Sequence, residues 1–187
     1  MVDDIDLIKK YQAGDAAVFS RLYDKYIKKI YDFIYYKTHH KQTAEDLTST
    51  TFLKAYKAIN NFKTDTGTFQ AWLYQIARNT VIDYYRSNKD TSNIDDAWDI
   101  GETKEYDRDV DNKMLLEEVQ KYLSQLSSDQ RDIIVMRLWQ QMSYQEIAAA
   151  LGKTEESCRM MFSRTITKLR QEKGLSALLL LLSLIVS

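Results

Sequence analysis

The 187-residue chain predicts an all-α protein: two small helical domains joined by a flexible acidic linker, with a helix-turn-helix in the second. Three observations carry that expectation. Proline is absent and glycine occurs only five times, too few turn residues for a sheet protein. Apolar residues recur at three- and four-residue steps in both halves, the spacing that lines one face of a helix. Between the halves, residues 87–111 lose that period and hold nine acids against three bases.

Composition narrows the function classes. A hydrophobic content of 44% supports globular cores and excludes a wholly disordered chain. The formal net charge of −1 gives no support for nucleic-acid binding, so any such case rests on how charge is distributed. One cysteine, Cys158, excludes an internal disulfide and a multi-cysteine metal site, and neither metal nor cofactor is expected. His39 and His40 cannot share a helix face as neighbours and read as solvated surface.

Residues 5–13 read as a short helix ended by Gly14, after which Asp15 is expected to cap a long helix to about Lys37. Phe19, Leu22, Tyr26, Ile30 and Ile34 supply its apolar stripe. Residues 43–60 predict a third helix burying Leu47, the Thr50 and Thr51 edge, Leu53 or the stem of Lys54, and Tyr56 or Ala58. A polar loop, KTDTGT over residues 63–68, leads to a fourth helix over residues 69–86. Its core stripe is read as Phe69, Leu73, Ile76, Thr80 and Tyr84, with Trp72 also assigned to the core. Opposite lie Tyr74, Arg78 and Tyr85, flanked by Gln75, Asn79, Ile82 and Arg86. Rings alternating with cations suit unpaired nucleic acid, where bases stack and phosphates carry charge. Gly67, free to take unusual torsions, suits a loop pocket for an extruded base.

The acidic segment is too poor in apolar residues to offset the entropy of ordering and reads as a linker, with Ile94, Trp98, Ile100 and Tyr106 as candidate anchors. Helical pattern returns near Asn112 with Met114 or Leu115, Val119, Tyr122, Leu123 and Leu126, then over residues 128–139 with Ile133, Ile134, Met136 and Leu138. Ser143 followed by Glu146 makes a capping box, Ile147, Ala148 and Leu151 face inward, Gly152 stops that helix, and Thr154 caps the next. The last helix is expected to end near Lys173, burying Cys158, Met161 or Phe162, Thr165 and Leu169. Its outward residues are Ser157, Arg159, Met160, Ser163, Arg164 and Lys168, which suit a major groove. All five glycines, Gly174 included, are expected where a helical pattern stops. The start of the chain, MVDDIDLIKK, lacks a secretory signal pattern. Residues 175–186 are almost wholly apolar but shorter than the roughly 20 residues that span a bilayer. They read as a docked or disordered tail, with a peripheral membrane anchor as the lesser alternative.

The residues together resemble bacterial sigma factors of the extracytoplasmic-function type. AEDLTSTTFLKAYKAINNF over residues 44–62 looks like that family's core-polymerase-binding helix, and TFQAWLYQIARNTVIDYYR over residues 68–86 like its promoter-melting segment. Residues 126–170 are similar to its second domain. The resemblance implies a promoter-specificity subunit that is not itself an enzyme. Its partners would be core RNA polymerase, through the beta-prime clamp and beta flap, promoter DNA and an anti-sigma factor. It implies domains over residues 1–88 and 112–173, a linker over 89–111, and a tail over 174–187 with no assigned role. Asp46, Phe52 and Lys54 would contact polymerase. Phe62, Lys63, Phe69, Tyr74, Arg78, Asn79, Asp83 and Arg86 would serve the unpaired minus-ten strand, and the outward residues of the last helix the minus-thirty-five duplex. Ser49, Thr50 and Glu156 depart from the family pattern.

Overall fold

The computed structural model describes residues 3–38, 40–64, 67–87 and 125–186, with side chains as far as Gln171. The expected linker and most of the helix expected from residue 112 lie outside these residues. Every regular element described is helical, and the chain divides into two compact units, Met1–Gly101 and Glu102–Ser187.

In the first unit, α1 is Asp4–Gln12, α2 Phe19–Thr38, α3 Lys41–Ala58 and α4 Phe69–Ser87. Asp3 caps α1, and Gly14 takes a φ of +104°, a backbone state open to a residue without Cβ. Asp15 provides no side-chain cap; a 3-10 turn, Ala16–Val18, intervenes before α2. Leu22, Tyr26, Ile30, Phe33 and Ile34 of α2 are buried against α3 and α4, so the expected stripe holds. His40 has a role the sequence reading missed. Its Nδ1 accepts from the Thr43 N–H at 3.2 Å and caps α3, which therefore starts earlier than expected.

On α3 the buried face is Ala44, Leu47, Thr48, Thr51, Phe52 and Ala55. Of the alternatives expected inside, Leu53 and Lys54 are both exposed, and Tyr56 is exposed while Ala58 is half-buried; Thr50 is exposed as well. The threonines explain the reversal: the hydroxyls of Thr48 and Thr51 donate to the carbonyls of Ala44 and Leu47 at 2.7 Å each, which removes the penalty of burying them. The face of α4 is likewise turned. Phe69, Ala71, Leu73, Tyr74, Ala77, Thr80 and Val81 are buried, while Ile76 and Tyr84 are only half-buried. Two alanines let α4 approach its neighbours closely. Thr68 caps it, its Oγ1 accepting from the Ala71 N–H at 3.2 Å.

In the second unit, α5 is Ser128–Ile134, continued by a π turn at Val135–Trp139; α6 is Tyr144–Leu151 and α7 is Glu155–Val186. Ser127 and Gln130 form a capping box that the sequence reading did not identify. The expected box is present: the Ser143 N–H donates to Glu146 Oε2 at 2.8 Å and the Glu146 N–H to Ser143 Oγ at 3.2 Å. Gly152 adopts the left-handed state, φ +65°, and ends α6. Thr154 then accepts from the Ser157 N–H at 3.2 Å and starts α7. Ile133, Ile134, Met136, Ile147, Ala148, Cys158, Thr165 and Leu169 form the core. Gly174 does not end α7. One glycine costs about 1 kcal/mol relative to alanine, and the leucines and alanine after it favour helix. Among the described residues, no helix is long and apolar enough to cross a membrane.

Candidate nucleic-acid and polymerase interfaces

The outward face of α4 is Gln75, Asn79, Asp83 and Arg86, all exposed, with Arg78 and Trp72 half-buried beside it. Three residues expected to meet unpaired DNA are instead core. Tyr74 is fully buried, its ring edge-on to Phe33 at 5.1 Å and its hydroxyl donating to the Lys29 carbonyl at 3.4 Å. A tyrosine can go inside because its hydroxyl finds a partner there, an option that hydrophobic spacing does not reveal. Burial, helped by the Asp32 charge, holds its phenol well above the ordinary tyrosine range. Phe62 and Phe69 are also buried, and their rings lie 5.2 and 5.5 Å from that of Trp72. Trp72 thus has one side in the core and the other toward solvent. Tyr85 is half-buried, its hydroxyl donating to the Lys37 carbonyl at 3.0 Å.

The chain enters this face through the loop that begins at Lys63, an exposed cation. Gly67 is exposed and does not use a positive φ.

A second face lies on α3. Asp46, Ser49, Thr50, Leu53 and Lys54 are exposed, and Leu53 keeps 54% of its surface in water. Phe52, expected to meet polymerase, is 4% exposed and packs edge-on against Tyr23 at 4.8 Å. The residue one step along the helix is the one displayed. Tyr23 and Tyr56 add exposed aromatic surface. Lys54 Nζ and Asp83 Oδ2 lie 3.4 Å apart and link α3 to α4, a solvated pair that contributes little stability.

The third face lies on α7. Arg159, Met160, Ser163, Arg164 and Lys168 are exposed as the sequence predicts, while Ser157 is half-buried. Arg159 pairs with Glu155 at 2.6 Å, and its guanidinium lies 4.9 Å from the Tyr144 ring centre. Arg137 lies 4.8 Å from the same centre and donates to the Met142 carbonyl at 2.8 Å. Hydrophobic spacing gives no sign of this cluster, because its members come from three elements. Met160 is 46% exposed, an apolar group suited to a thymine methyl, and the arginines suit guanine edges or phosphate. Burial raises the Cys158 thiol above its ordinary value, so it is packing and not chemistry.

These faces coincide with segments known in other proteins. Residues 22–91 match the Sigma-70 region 2 family and residues 116–169 the Sigma-70, region 4 family. The chain is similar to the ECF RNA polymerase sigma factor BldN of Streptomyces coelicolor, with 35% identity over 88% of this chain and 64% of that protein. It is also similar to the RNA polymerase sigma-H factor of Pseudomonas aeruginosa, with 30% identity over 79% of this chain and 82% of that one. The solved structure of CnrH in complex with the cytosolic domain of CnrY shares the fold, with a TM-score of 0.69 at 23% identity, covering 90% of this chain and 95% of that one. The chain belongs to the sigma-70 family, in its extracytoplasmic-function group, and is a promoter-recognition sigma subunit of RNA polymerase.

Proposed function

We propose that the three exposed faces divide the work of promoter recognition. The α3 face, with Asp46, Leu53 and Lys54, binds the clamp of core polymerase. The α4 face, with Asn79, Asp83, Arg86, Arg78 and the solvent side of Trp72, holds the separated minus-ten strand together with the loop from Lys63. On α7, Arg159, Met160, Ser163, Arg164 and Lys168 read the minus-thirty-five duplex, with Ser157 at the edge of that face. Domain bounds near residues 1–88 and 112–173 follow from this division.

The observation that carries the reading is the outward stripe Gln75, Asn79, Asp83 and Arg86 within the segment that matches region 2. Its amides can pair with base edges, Arg86 can meet phosphate, and Trp72 offers a ring for stacking. In this reading the polymerase carries out the chemistry; the chain is a regulatory subunit and works in the cytoplasm with its polymerase. An anti-sigma factor is a further partner in this reading, by analogy with the sigma factor RpoE in complex with the anti-sigma factor NepR from Bartonella quintana.

Transcription by core polymerase with and without the chain, over a library of random promoters, tests the proposal. Transcripts should arise only with the chain present, from templates sharing two separate elements upstream of the start. Enrichment of a single duplex element would contradict the assignment of the first unit.

A further inference from the structure

Helix α1 lies outside residues 22–91, the part of the first unit that matches region 2. It is nevertheless tied into that unit at both ends. Near its start, Asp4 pairs with Lys25 and accepts from the Tyr26 hydroxyl. Leu7, Ile8 and Tyr11 are buried, and the Tyr11 hydroxyl donates to the Tyr56 carbonyl at 3.3 Å. At its last residue, Gln12 Nε2 donates to the Ile59 carbonyl at 3.0 Å and the Phe62 carbonyl at 2.9 Å, with the Asn60 carbonyl at 3.5 Å.

Those carbonyls belong to the 3-10 turn after α3, Ile59–Asn61, and to Phe62, which closes it; the Ile59 carbonyl also accepts from the Phe62 N–H at 3.1 Å, so the Gln12 amide adds to the turn's own hydrogen bond. The donors come from a residue some fifty positions earlier. Phe62 is the last residue before the loop, and its ring is held by Trp72 and Phe69. Gln12 therefore fixes the backbone, and the aromatic cluster the side chain, at the point where the loop begins.

We propose that Gln12 is a positioning residue for strand capture: its amide sets where Lys63 and the following loop start relative to the α4 face. This rests on the reading of that face as the site of the separated strand. Without the two donors the turn samples other conformations, and apparent affinity falls with the fraction of molecules that keep the loop in place.

The test uses holoenzyme reconstituted with variant chains and fork-junction promoter DNA whose minus-ten strand is unpaired. Gln12→Glu keeps the size but presents only acceptors, whereas Gln12→Lys keeps donors on a long stem. With one to two hydrogen bonds lost, Gln12→Glu should weaken fork binding about tenfold. Gln12→Lys should stay within about twofold, a rescue that packing alone does not produce. Affinity for core polymerase and for the minus-thirty-five duplex should not change in either. Wild-type fork binding by Gln12→Glu, equal losses in the two variants, or a loss that follows core binding would overturn the proposal. Asn79→Ala is the reference. If it weakens fork binding while Gln12→Glu does not, Gln12 has no such role and the strand site stands; if neither does, both readings fall.

Discussion

Tyr74 is gripped from two sides: Phe33 meets its ring edge-on, and the Lys29 carbonyl accepts a hydrogen bond from its hydroxyl. Removing only the hydroxyl, Tyr74→Phe, should cost about 1 kcal/mol of stability near neutral pH. Tyr74→Ala should cost about 3–5 kcal/mol, in line with other large aromatic truncations. Denaturant titration of both variants checks the order. The phenol also gives a pH signature. Its folded value is raised, so below about pH 10 its contribution is fully present, and as pH rises past that point the unfolded chain loses its proton first and stability falls. Tyr74→Phe should flatten that fall; an unchanged slope would assign it to other groups. Cys158 behaves similarly as a buried group. Alkylating reagents should modify it only after denaturant is added.

At the scale of helices, the α6–α7 pair was the most legible part of the sequence. Its signals are local: Ser143 with Glu146, Gly152, and Thr154 each act within one turn, so spacing alone identifies them. Ser143→Ala should lower the stability of the second unit by about 1 kcal/mol, measured by urea unfolding. Legibility fell on α3 and α4, where buried Thr48 and Tyr74, each with an internal hydrogen-bond partner, stand in place of the aliphatic residues that periodicity favours. Polar groups with internal partners are invisible to a hydrophobic stripe. For the same reason the candidate site was only partly readable: Asn79, Asp83, Arg86 and most of the α7 face are displayed, whereas Phe62, Phe69, Phe52 and Tyr74 support the display from inside. Leu53 was missed because an apolar residue was assumed to be core. Its exposure makes it separable from folding. Leu53→Ala should change stability by no more than about 0.5 kcal/mol while weakening polymerase binding, as competition binding to core enzyme would detect. Loss of both together would return Leu53 to a structural role.

Across the whole molecule, a net charge of −1 provides no general attraction to DNA, so binding depends on local patches and on polymerase holding the DNA near them. The α7 face carries Arg159, Arg164 and Lys168 together, whereas the α4 stripe balances Arg86 against Asp83. Salt should therefore weaken minus-thirty-five binding more steeply than capture of the unpaired strand. Arg164→Ala should lower duplex affinity by about 1–3 kcal/mol and relax preference at one base pair, whereas a uniform loss over all sequences would mark a phosphate contact. The central claim is that the α4 stripe holds separated promoter DNA while α7 reads duplex. Its most direct measurement compares holoenzymes carrying Asn79→Ala and the parent chain on two DNAs, a pre-melted minus-ten fork and a minus-thirty-five duplex. The account predicts a clear loss on the fork and unchanged binding to the duplex; equal losses on both, or none on the fork, would contradict it.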